Sequence, residues 1–152
     1  MNLSVQLKVD LQEYCLTTIE DKYKLLTKQI LARKQDLVSA SKSSAGDKHE
    51  TSRAMIHLEQ EKLGIQFQQV HKQQLVLSQI EVKQNFSIQS GSLILTNKAL
   101  FYIAIALGKL MFNNQEIFVI SPVSPLAQAF LNSKSSKEIC FHGTTYTVLA
   151  II

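Results

Sequence analysis

The chain has 152 residues and a net charge of +4, with 16 Lys and Arg against 12 Asp and Glu spread over both halves rather than gathered in a tail. That balance suits nucleic-acid company without proving it, because a solvated surface alone also explains it. Cys15 and Cys140 match no zinc spacing and fit a reducing cytosol; the opening residues lack the basic leader and apolar core of a signal peptide; and the most apolar stretch, 99–107, is too short to cross a bilayer as a helix.

Composition splits the chain near Asn85: residues 1–85 are rich in Lys, Gln, Glu and Leu and lack proline, whereas 86–152 hold both prolines and three of the five glycines. Two domains are expected, 1–85 and 86–152, the second small enough to have a marginal core of its own. At the start, Leu3, Val5, Leu7 and Val9 alternate as in a strand, but no breaker follows, so a helix is expected from about residue 8. Stepping alternately by three and four from Leu16 gives Leu16, Ile19, Tyr23, Leu26, Ile30, Arg33, Leu37 and Ala40, the seam of a coiled coil. This first arm frays near Lys42 among Ser39, Ser41, Ser43 and Ser44. A second arm is expected just after Asp47, running through Met55, Leu58, Leu63, Phe67, Val70 and Leu77 to about Lys83, with Gly64 as its weak interior position.

If the chain reverses between Gly46 and Asp47, antiparallel partners have numbers summing to about 93. That rule pairs Leu16 with Leu77, Tyr23 with Val70, Leu26 with Phe67, Ile30 with Leu63 and Leu37 with Ile56. A helical hairpin follows, with its turn inside 43–51 and arms of roughly 45 Å. Arg33 on the seam is expected to pair with Glu59 and fix register.

From Phe86 the period changes. Residues 92–97 and 98–107 read as two strands joined by a tight turn at Asn97-Lys98; Asn113-Asn114 reads as a second turn, followed by a strand over 115–121. Ser124-Pro125 places an N-cap and a first-turn proline before a short helix, 126–131. Residues 137–142 and 146–152 make a closing hairpin around Gly143. Four or five antiparallel strands with one late helix, behind a helical hairpin, is an α+β chain.

Two constellations carry possible chemistry. Asp47-x-x-Glu50 at the start of a helix is a capping box, and it is also a pair of hard oxygen donors of the kind Mg²⁺ takes. Lys34, Lys42, Lys48 and Arg53 flank it and could meet RNA phosphate or simply face solvent, while His49 is a poor Mg²⁺ partner. Cys140 and His142 would share one strand face, about 7 Å apart, but no orienting third residue is evident and a buried thiol is the simpler role. No complete active site is expected on this chain.

Gly46-Asp47-Lys48-His49-Glu50 at the reversal of a helical hairpin resembles the bacterial GreA/GreB transcript cleavage factors. So do Ile120-Ser121-Pro122 leading into the helix up to Leu131, and the closing strands from Lys137 and from Gly143. The resemblance covers nearly the whole chain in order. It implies a hairpin that enters the secondary channel of RNA polymerase, an FKBP-like C-terminal domain at the channel rim, and Asp47 and Glu50 as the acidic tip that helps hold a Mg²⁺ shared with polymerase for cleavage of backtracked RNA. By their charge beside the tip, Lys42, Lys48 and Arg53 are the candidate contacts to polymerase or nascent RNA; the resemblance further implies no cofactor held by the chain alone, and a cytoplasmic monomer without a membrane partner is expected. Where the family has Asn, an acidic residue and Tyr after the second acid, this chain has Thr51, Arg53 and Ala54, and the glycine of a later turn is replaced near Ser135-Ser136. A non-cleaving channel binder is therefore the first alternative. A prolyl-isomerase-like domain on a coiled coil and a plain interaction module are the others; an isomerase pocket would need aromatics, and most of Phe86, Phe101, Tyr102, Phe112, Phe118, Phe130, Phe141 and Tyr146 are expected to be spent in the core.

Overall fold

The computed structural model describes residues 3–42, 46–133 and 137–152, the side chains of 46–49 excepted. Helices α1 (Val5–Ser41) and α2 (Gly46–Gln79) come first. The sheet strands β1 (Leu93–Thr96), β2 (Leu100–Ile103), β3 (Gly108–Phe112) and β4 (Gln115–Ile120) follow, then helix α3 (Pro125–Asn132) and strands β5 (Glu138–Phe141) and β6 (Thr144–Ile151). The expected α+β architecture is the one adopted. Two compact units divide it: Thr17–Gln74, and Met1–Leu16 together with Leu75–Ile152.

Every position of the expected α1 seam is buried or half-buried while most of its neighbours are exposed, with Ile19 and Leu26 closed off fully or nearly so. On α2, Ile56, Gln60, Leu63, Phe67, Val70, Gln74 and Leu77 keep the same spacing and the same shelter. Packing two such stripes together removes apolar area from water at about 25 cal/mol per Å², which is why the three-four period decides the fold here. Tyr23 stacks on Phe67 at 4.8 Å between ring centroids, and Arg33 pairs with Glu59 at 3.4 Å and with Asp36 at 3.0 Å. These two cross-helix contacts have residue numbers summing to 90 and 92, so the register lies slightly short of the expected 93. Met55 and Leu58, expected to help the apolar period of α2, are instead 67% and 59% exposed.

The other unit is a sheet of order β3-β4-β2-β1-β6-β5. All pairs are antiparallel except β2 with β4, which run parallel in the register Leu100↔Ile117 to Ile103↔Ile120. The described residues form six strands rather than four or five, because the expected long strand 98–107 ends at Ile103 and a further strand, β3, follows it. There Ala104 N–H turns to Ile120 O, and Gly108 at φ +75° restarts the chain as β3. Asn113 and Asn114 both adopt positive φ, 50° and 61°, as a two-residue hairpin of the primed type requires. Thr96 N–H bonds Ala99 O across the expected Asn97-Lys98 turn.

Pleating sorts the strand residues onto two faces. Ile94, Phe101 and Ile103 face α3 and form one core with Ala127, Phe130 and Ile139. Leu93, Tyr102, Leu100, Ile117 and Val119 face the other way and are equally buried. On that side lie the first turns of α1, where Tyr14 meets Phe112 at 5.3 Å between ring centroids. Because β2 is covered on both faces, all four of its residues are buried, and the strand reads as a continuous apolar run.

Three boundaries differ from expectation. Helix α1 begins at Val5, not near residue 8, because Ser4 Oγ accepts from Leu7 N–H and caps it; the alternation of Leu3, Val5, Leu7 and Val9 is not a strand. Helix α2 begins at Gly46, ahead of the expected start after Asp47, and ends at Gln79, where Gln12 Nε2 donates to Leu77 O at 2.9 Å and Ile80 O at 3.1 Å and satisfies its terminal carbonyls. His142 lies in the β5–β6 turn at φ 47°, not on a strand with Cys140, and its ring meets Phe141. The nucleophile-and-base geometry is thereby lost. Cys140 is exposed rather than buried, and Phe86, expected in the core, is 92% exposed.

Candidate functional site

The acidic pair sits where α2 starts. A helix beginning at Gly46 places positions 47, 50 and 53 at steps of three within its first turns, each rotated by roughly 60° from the last, so the three occupy one side of the helix. Asp47 is thus a first-turn residue rather than the residue flanking the helix, where the aligned peptide dipoles favour negative charge. Glu50 and Arg53 are exposed, as is Lys42, in the turn that ends α1; Lys34 is exposed on α1. The side chains of Asp47, Lys48 and His49, the turn residues 43–45 and the Ser135-Ser136 position lie outside the described residues.

As to metal, carboxylates at 47 and 50 are the donor type that suits Mg²⁺, and a pair of them leaves most of an octahedral shell to other ligands. Among the described residues no group of three His, Cys, Asp or Glu is arranged to hold a metal ion.

A second constellation was not expected from sequence. Lys8 is completely buried and its Nζ donates to Lys83 O at 2.7 Å and to Ile152 O at 3.0 Å. Burial, helped by the nearby Lys83 charge, lowers its pKa from 10.5 to about 8. About two turns further on, Cys15 is fully buried and its thiol is pushed up to about 12 by desolvation. Tyr102 on β2 is raised as well, by burial first and by the Cys15 charge second. Its hydroxyl and Gln12 Oε1 have no hydrogen-bond partner within the described structure. These groups are sealed from solvent, and the bonds of Lys8 and Gln12 tie α1 to the end of α2, to the segment that follows it and to Ile152. The only sequence signal for them was that Lys8, Gln12 and Cys15 recur at helical spacing beside Leu11.

No helix among the described residues is long and apolar enough to cross a membrane. No protein-family model matches the chain, and no curated protein matches it. Among solved structures, the crystal structure of GreA factor homolog 1 (Gfh1) of Thermus thermophilus is similar at TM-score 0.34 and 16% identity, over 86% of this chain and 94% of that one. A structure of the transcription factor Gfh1 is similar at TM-score 0.32 and 16% identity, over 85% and 92% respectively. At that level of likeness nothing about function follows.

Proposed function

We propose that this protein is a transcription factor that binds RNA polymerase through its helical hairpin, entering the secondary channel and bringing Asp47 and Glu50 to the polymerase active centre to support cleavage of backtracked RNA. The observation that carries this reading is the position of the acids. Both fall in the opening turns of α2, the second arm of a hairpin whose two arms share a regular seam.

The role of each residue follows from its chemistry. Asp47 and Glu50 supply hard oxygen donors to a Mg²⁺ whose other ligands belong to polymerase; bound there, the ion would stabilise attacking and leaving oxygens in phosphodiester hydrolysis. Lys42, Lys48 and Arg53 supply positive charge toward RNA phosphates. A specific observation also favours a second reading, a channel binder that does not cleave: Arg53 is exposed one turn beyond Glu50, where the related motif carries an acid, and a cation there opposes metal retention.

The test uses backtracked elongation complexes of the cognate RNA polymerase with labelled RNA. Wild type is expected to release short 3′ fragments, and Asp47→Asn and Glu50→Gln to slow release by about tenfold or more, each tenfold corresponding to about 1.4 kcal/mol of barrier. Binding that competes with another channel factor, with no cleavage by wild type, would establish the second reading. Neither cleavage nor binding would leave the fold without this function.

A further inference from the structure

Strand β3 stands at one edge of the sheet, paired with β4 alone. The two-residue turn Asn113-Asn114 closes this hairpin, so Phe112 and Gln115 are the bonded pair at its base. By alternation Phe112, Leu110 and Gly108 turn their N–H and C=O to β4, whereas Lys109 and Met111 turn theirs outward. Strand β4 keeps the same phase, since Ile120 O accepts from Ala104 N–H on its other side. Among the described residues nothing bonds the outward backbone groups of Lys109 and Met111. The residues outside the description adjoin other parts of the chain: 134–136 lead into β5, at the opposite edge of the sheet; 1–2 precede the end of α1 whose Lys8 reaches Ile152; and 43–45 join the two long helices.

An exposed edge rich in apolar residues and free of proline is a template for another strand, and β3 is Gly-Lys-Leu-Met-Phe with Met111 56% exposed. Its side chains specify which strand. Leu110 lies opposite Ile117 on the face toward α1, where Phe112 meets Tyr14. Lys109 and Met111 lie on the other face; there Met111 is opposite Glu116, and Lys109 forms an ion pair with Glu116.

We propose that β3 pairs with β3 of a second copy of this chain, antiparallel about a two-fold axis through Leu110, joining the two sheets into one. In that register Lys109 of each copy stands opposite Met111 of the other and exchanges both backbone bonds with it, while the two Leu110 side chains meet as the close, non-bonded pair. Charge selects a second copy over a foreign strand. Glu116, Met111 and Lys109 of the other copy fall in one row across the sheet, so two lysines and two glutamates alternate in sign and cancel. A foreign strand would have to bring matching charges, whereas a second copy already carries them. Pairing of β3 with the β5 edge of another copy would be head-to-tail and would propagate instead of closing. Five residues a side are far fewer than the roughly 20–30 of a standard interface, so the dimer is weak, with a Kd on the order of 0.1 mM.

Self-association does not depend on the polymerase reading, and its test uses the full chain by itself. Sedimentation velocity from about 10 μM to about 1 mM, which brackets that Kd, should show monomer giving way to dimer. Met111→Pro removes an outward N–H and leaves the β4 ladder whole, a change that edge strands tolerate. It should weaken dimerisation by about tenfold or more, with circular dichroism verifying the fold. Lys109→Glu and Glu116→Lys should each lose self-association, and a mixture of the two should recover it as a heterodimer, because one then brings acids to the row and the other bases. In the wild type the amide exchange of Lys109 and Met111 should slow with concentration while that of Leu110 stays unchanged. A monomer at every concentration, association indifferent to Met111→Pro, a mixture that fails to associate, or growth beyond the dimer would each overturn the proposal.

Discussion

Lys8 Nζ lies 3.0 Å from the backbone oxygen of Ile152, a bond between residues 144 apart in sequence and closed off from solvent. A lysine whose folded pKa is lowered binds its proton less well folded than unfolded, so unfolding takes up protons between about pH 8 and 10.5 and stability rises with pH across that window. The full difference is worth roughly 3 kcal/mol. Cys15 acts oppositely: its raised folded pKa contributes stability that is complete below about pH 9 and is lost as pH climbs toward 12. Urea midpoints should therefore increase from pH 7 to pH 9 and then level off. Lys8→Met should flatten the first part of that profile; an unchanged slope in the variant would show that the ammonium is not the titrating group.

Glycine substitutions should separate backbone constraint from helix propensity. Gly91 has φ +86°, and a Cβ there would come within 2.8 Å of Ile80 Cγ2. Gly91→Ala should destabilise by about 1–3 kcal/mol, from left-handed strain and that contact together. Gly64 lies in α2 with nothing within 4 Å of an added Cβ, so Gly64→Ala should stabilise by about 0.5–1 kcal/mol. Paired denaturation curves check both, and equal shifts in one direction would contradict the contrast.

The seam makes a similar distinction among leucines of one helix. Leu63 is 9% exposed and Leu58 is 59% exposed. Leu63→Ala should cost about 2–5 kcal/mol and Leu58→Ala less than about 0.5 kcal/mol. Loss of helical circular dichroism on heating gives the readout.

Ser124 Oγ accepts from Ala127 N–H and caps α3, whose Ala127 and Phe130 are fully buried against the sheet. Ser124→Ala should cost about 1 kcal/mol, whereas Ser124→Asp should be nearly neutral. Equal loss in both variants would mean that the hydroxyl is needed for something other than accepting that bond.

What can be read along the chain is what depends on neighbours a few residues away. The α1 seam from Leu16 to Ala40 is legible because each seam residue shares a face with the next three or four along. The positive-φ pair Asn113-Asn114 and the Ser124-Pro125 helix start are legible because turn and cap chemistry are local. Asp47 and Glu50 are found by the same means, one helical step apart beside a chain reversal.

Tertiary structure decided the rest. The parallel pairing of β2 with β4 requires β3 to pass to the outside of the sheet, which no short-range pattern specifies. Lys8 looks like an ordinary surface lysine until the carbonyls of Lys83 and Ile152, distant in sequence, arrive around it. The sequence by itself therefore determined the hairpin, its seam and the acids at the start of its second arm, since helix periodicity is a property of adjacent residues; which strands pair and which polar groups are sealed depends on long-range contacts, and only the folded chain decides that.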